Sequence, residues 1–127
     1  LSERVLDASA VLASIFEERG NEVVRDCLAE SYISAVNLAE VASKLADRGY
    51  SDESIGWMLR DYEANVVPFS ATTAIESGRL RSTTRTAGLS LGDRACLALA
   101  VELGVPALTA DRRWTHVRTK AKVELIR

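Results

Sequence analysis

Four acidic residues stand where carboxylates could do chemistry: Asp7, Glu40, Asp93 and Asp111. Asp7 directly follows the apolar pair Val5-Leu6 and precedes the helical pattern Ala10, Val11, Leu12, Ile15, Phe16. That order places its carboxylate at the C-terminal end of a first strand, the edge where open α/β sheets bind ligands. Asp111 repeats the arrangement after Ala107-Leu108-Thr109. Glu40 lies three residues after Asn37, a spacing that puts both on one helix face with Ser34 near its start. Asp93 follows Ser90 by three, the spacing of a capping box. Taken singly, each acid has an ordinary structural role: Asp93 as a cap partner, Glu40 as a solvated helix residue, Asp7 and Asp111 as caps or turn formers. Taken together at one sheet edge they would repel one another, and a divalent cation is the natural compensation. An all-oxygen donor set without His or Cys suits Mg²⁺, with Mn²⁺ as a substitute, rather than zinc. Such an ion supports hydrolysis or transfer at phosphate without a covalent nucleophile. No GxxxxGK, GxGxxG, GxSxG or HExxH stretch occurs, so NTPase, dinucleotide-binding, α/β-hydrolase and zincin readings lack their defining residues.

The elements that must position these acids alternate along the chain. Short β-like runs at Arg4–Leu6, Tyr32–Ser34, Val66–Phe69, Ala107–Thr109 and Val123–Ile126 are separated by amphipathic segments at 9–18, 21–30, 36–48, 51–65, 71–86 and 91–103, with a short turn near 112–116. Strands alternating with helices predict a mainly parallel sheet of four or five strands between helical layers, a three-layer α/β/α domain. Ser51, Ser70 and Ser90 are placed to cap three of the helices, and Gly49 and Gly104 to end two. At 127 residues the chain is long enough for one core and too short for two, so residues 1–127 are read as a single domain.

Cys27 and Cys96 lack CxxC spacing and have only His116 for company, which argues against a zinc site or disulfide framework; both are expected reduced and buried. The longest apolar stretch, from Ala95 to Ala110, is interrupted by Glu102, Gly104 and Pro106, and no membrane span is expected. The opening residues show no basic n-region or long apolar h-region, so a cytoplasmic location is expected. Net charge is −2, but the halves differ: residues 1–63 carry 6 Lys and Arg against 13 Asp and Glu, residues 64–127 carry 10 against 5. The second half could meet a polyanion, although ordinary solvated helix faces explain such a pattern equally well.

Over nearly its whole length the chain resembles the PIN-domain family, and within it the VapC toxins of toxin–antitoxin systems. The resemblance rests on four stretches in order: Val5-Leu-Asp7-Ala-Ser9-Ala10, Ser34-Ala-Val-Asn37-Leu-Ala-Glu40-Val41, Leu89-Ser90-Leu-Gly-Asp93-Arg-Ala-Cys-Leu-Ala-Leu-Ala100, and Leu108-Thr109-Ala110-Asp111. It implies that Asp7, Glu40, Asp93 and Asp111 carry the metal and that Ser9, Asn37 and Thr109 orient the site. It further implies endonucleolytic cleavage of structured RNA such as tRNA or rRNA, inhibition by a cognate VapB-type antitoxin, and frequent homodimers. Arg79, Arg81, Arg85, Arg112 and Arg113 are then candidates to flank the acids and neutralise RNA phosphates. Other readings fit less well. A haloacid-dehalogenase-like phosphatase needs a second Asp where Ser9 stands, and a phospho-receiver domain needs an Asp where Pro68-Phe69-Ser70 supplies none. A catalytically silent PIN-like binding module would not be expected to keep all four acids. In segment 51–65, Ile55, Met58, Leu59 and Tyr62 form one stripe and Trp57 faces away from it, which marks Trp57 as a candidate interface residue for a second copy or an antitoxin.

Overall fold

A computed structural model describes residues 3–127; Leu1 and Ser2, included in the expected domain 1–127, lie outside the described residues. Five strands, β1 (Val5–Leu6), β2 (Tyr32–Ser34), β3 (Val66–Val67), β4 (Ala107–Thr109) and β5 (Val123–Leu125), form one sheet in the order β3-β2-β1-β4-β5. Every pairing is parallel, with Val5 beside Tyr32 on one side and Ala107 on the other. All C-terminal strand ends therefore open onto one edge, with Asp7 just past β1 and Asp111 just past β4.

Alternation along the short strands divides the core in two. Leu6, Ile33 and Leu108 pack with residues of α1 (Ala8–Ile15), α2 (Asn21–Cys27), α3 (Ala35–Asp47) and α4 (Asp52–Leu59). Val5 and Ala107 pack instead with Cys96, Leu97, Leu99 and Ala100 of α7 (Leu91–Leu103) and with Trp114. Helix α5 (Ala71–Arg79) and the single turn α6 (Arg81–Thr84) complete that side, α5 lying against α7. The result is the three-layer α/β/α arrangement that the β/α alternation predicts, with five strands.

Ser51, Ser70 and Ser90 each accept a backbone N–H as N-caps, and Gly104 ends α7 in the left-handed region. Four expected helices are shorter than their periodicity suggests, the first of them, 9–18, ending at Ile15. Segment 21–30 tightens to a 3-10 turn after Cys27 and segment 51–65 after Leu59. Segment 71–86 breaks at Leu80, flanked by Ser77 and Thr84, whose hydroxyls bond the carbonyls four residues back and so compete with regular helix geometry. Strand β3 stops at Val67 because Pro68 has no N–H for the ladder.

Candidate active site

Asp7 is the N-cap of α1 and is nearly inaccessible, 3% exposed. Its Oδ1 accepts the Ala10 N–H at 2.8 Å and the Ser9 hydroxyl at 2.7 Å, and its Oδ2 accepts the Thr109 hydroxyl at 2.6 Å. Ser9 and Thr109 also tie the ends of β1 and β4 together. The Ser9 Oγ accepts the Ala110 N–H at 2.9 Å, and the Thr109 Oγ1 accepts the Asp111 N–H at 3.0 Å. Burial nonetheless outweighs these hydrogen bonds and, with the nearby Asp93 charge, pushes the Asp7 pKa up to about 6.

Glu40 comes from the second turn of α3. Its Oε1 accepts from the Asn37 amide at 2.8 Å, and the same amide donates to the Gly92 carbonyl at 3.0 Å, so Asn37 fixes α3 to the start of α7. Asn37 is fully buried, and its Oδ1 has no partner among the described residues. Desolvation, and secondarily the Asp93 charge, raises the Glu40 pKa. Gly92 permits this approach: a Cβ placed there would land on the Glu40 carboxyl group. Gly92 has no role in the sequence-based expectations, though a glycine in the first turn of an otherwise strong helix was an available signal.

Asp93 completes a capping box, accepting the Ser90 N–H at 2.8 Å while the Ser90 hydroxyl accepts the Asp93 N–H at 3.2 Å. The structural role expected of it is therefore real, and it coexists with proximity to the other acids. The Cys96 thiol, fully buried one turn further along α7, is raised well above its ordinary pKa by burial and then by the charges of Asp7, Asp93 and Glu40. One buried group that feels three carboxylates marks them as a common locality. Cys27 and Cys96 are both free and buried, as expected.

Asp111 belongs to the same rim but is engaged by Arg113. The guanidinium covers both of its oxygens, Nε at 3.1 and 3.0 Å and Nη2 at 2.6 Å, and holds its pKa below the usual carboxylate range. The same Nη2 lies 4.0 Å from Asp93 Oδ2. With Asp93 turned onto its cap and Asp111 clamped, no three His, Cys, Asp or Glu side chains among the described residues converge into a ready chelating group. The donor set nevertheless fits a hard divalent cation: it consists of carboxylates, and the Asp93 charge opposes ionisation of both Asp7 and Glu40.

Of the five arginines expected to flank the acids, Arg113 alone is shown against them. Arg79 pairs with Glu76 and lines a groove of about 600 Å³ with Leu80, Val101, Arg118 and Lys120. Arg81, Arg85 and Arg112 are exposed, with no described contact to the acids. Arg94 is buried instead, donating to the carbonyls of Ser77 and Ser90. Ile55, Met58, Leu59 and Tyr62 face the core, whereas Trp57 is 68% exposed beneath the Arg60 guanidinium, in a groove of about 610 Å³ shared with Tyr50 and Met58.

A profile of the PIN domain matches residues 4–120. The chain belongs to the PIN-domain family. No curated protein matches it. Among solved structures, this PIN domain is similar to a DNA-bound VapBC from Salmonella typhimurium, with a TM-score of 0.78, 17% identity and 98% of each chain covered. VapBC2 of Rickettsia felis, bound to a fragment of promoter DNA, gives a TM-score of 0.75 at 15% identity over 97% of this chain and 98% of that one. VapBC-5, of the toxin–antitoxin family in Mycobacterium tuberculosis, gives 0.63 at 22% identity over 100% and 99%. At these identities the likeness concerns the fold. No helix among the described residues of the PIN domain is long and apolar enough to cross a membrane.

Proposed function

We propose that this PIN domain is a Mg²⁺-dependent endoribonuclease, the toxin of a VapBC-type module, acting in the cytoplasm on structured RNA such as tRNA or rRNA. The observation that carries the reading is the buried Asp7 carboxylate, oriented by Ser9 in the first turn of α1 and Thr109 at the end of β4 and electrostatically coupled to Asp93, which is coupled in turn to Glu40. Asp7 and Asp93 are the direct ligands of the ion in this proposal, with Glu40 and Asp111 completing the set. When bound, Mg²⁺ or Mn²⁺ supplies Lewis-acid polarisation of a phosphate and a more acidic water. The chain supplies position: Ser9 and Thr109 fix both oxygens of Asp7, and Asn37 fixes Glu40 over Gly92. Arg79, Arg81, Arg85, Arg112 and Arg113 are proposed to neutralise RNA phosphates. The solved VapBC complexes support a VapB-type antitoxin as partner. The exposed Trp57 groove is the surface proposed for that antitoxin or for a second copy of the chain.

One observation favours a catalytically silent PIN-like binding module: Asp7 and Asp111 serve as N-caps and Asp93 as the capping-box partner of Ser90. Sequencing of RNA ends after induced expression separates the readings. The nuclease reading expects new ends at discrete sites, absent with Asp7→Asn; an identical set of ends with and without induction would sink it.

A further inference from the structure

The Arg113 side chain is fixed by several groups at once. Its guanidinium brackets Asp111 along the full edge of the carboxylate, at 2.6 to 3.1 Å. Its own backbone N–H also donates to Asp111 Oδ1 at 2.9 Å. Nη1 reaches across to the carbonyls of Ala87 and Gly88, at 3.4 Å each, in the loop before α7. Nη2 stands 4.0 Å from Asp93. The positive charge thus spans the β4 end and the α7 start, the two elements that bring Asp111 and Asp93 to the rim.

We propose that Arg113 is a built-in counter-cation of the acidic site, competing with a divalent ion for Asp111 and Asp93. This rests on the metal-centre reading above. An ion of the Mg²⁺ class takes carboxylate oxygens at about 2.0–2.1 Å in near-octahedral geometry, and a guanidinium fork already covering both Asp111 oxygens occupies the edge such an ion would use. The two cannot hold that edge together. The fork is also free to leave: the Arg113 side chain is 56% exposed, and exposed ion pairs contribute modestly to stability, bidentate ones more than most. A divalent ion therefore has a weak competitor, and its arrival sets a guanidinium free at the rim, where an RNA phosphate would pass.

The test measures Mn²⁺ binding to the full chain by calorimetry, with no nuclease assay. Arg113→Ala should bind Mn²⁺ about twofold to fivefold more tightly than wild type, the upper part of the range that exposed ion pairs give. Arg112→Ala removes the same charge one residue away without removing the clamp and should give a clearly smaller gain. In ¹⁵N-labelled wild type, Mg²⁺ should also shift the Arg113 Nε–H resonance. Equal gains in both variants, or an Arg113→Ala affinity at or below wild type, would overturn the competition while leaving the metal centre standing. Should wild type and both variants all fail to bind Mn²⁺, the metal-centre reading itself falls, and the counter-cation with it.

Discussion

Asp7 ties the proposed metal site to the stability of this PIN domain. Its folded pKa, about 6 against an ordinary 3.8, is raised, so the folded protein holds this proton more tightly than the unfolded chain does. The contribution to stability is thus fully present below pH 3.8 and is lost as pH rises through about 6. At neutral pH the loss is about 3 kcal/mol, from roughly 1.4 kcal/mol for each tenfold change in proton affinity. Asp7→Asn should therefore melt higher than wild type at pH 7 in EDTA, lose most of that advantage near pH 4, and abolish cleavage. Thermal melts at the two pH values check it, and a variant less stable at both would contradict the burial argument. Gly92→Ala offers a second test. In an open helix interior the change stabilises by about 1 kcal/mol, but here the new Cβ meets the Glu40 carboxyl group. The variant should gain no stability and should lose metal affinity; a simple rise in Tm with full activity would show that Glu40 has room to move. Asp7, Glu40, Asp93 and Asp111 were legible as site candidates because their types, and their places after a strand (Asp7, Asp111) or early in a helix (Glu40, Asp93), are local features. The Gly92 contact and the Arg113 clamp were not, since each depends on two elements meeting in space.

At the scale of elements, α7 carries the greatest burden, because its first turn presents both the cap and Asp93. Ser90→Ala removes the Asp93 N–H bond of the capping box and should cost about 1 kcal/mol of stability. It should leave cleavage within a few-fold of wild type, because the Asp93 carboxylate is retained. Denaturant unfolding and a cleavage rate on the same preparation check this; a loss as complete as that expected for Asp93→Asn would mean that the hydroxyl itself belongs to the site. The strands and the caps were readable from sequence because apolar runs and Ser-initiated helices are written within a few residues. The breaks at Leu28, Arg60 and Leu80 were not, because the apolar periodicity continues through them while the backbone tightens into 3-10 turns or is diverted by hydroxyl back-bonding.

Across the whole molecule, the excess of basic residues after residue 63 would give the proposed RNA binding an electrostatic component. The affinity of the Asp7→Asn protein for RNA should fall steadily as salt rises, whereas salt-independent binding would reduce those arginines to a solvated surface. Trp57→Ala should weaken self-association or antitoxin binding by more than about 1 kcal/mol. Sedimentation and antitoxin titration decide it, and wild-type behaviour in both would leave the Trp57 groove without a partner. That the acids act through a bound ion is tested most directly by incubating the purified chain with structured RNA. With Mg²⁺ or Mn²⁺, discrete cleavage is expected, with ends free of 2′,3′-cyclic phosphate because water rather than the ribose hydroxyl attacks, and no cleavage is expected in excess EDTA or with Asp7→Asn. Undiminished cleavage in EDTA, or by the Asp7→Asn protein, would contradict it.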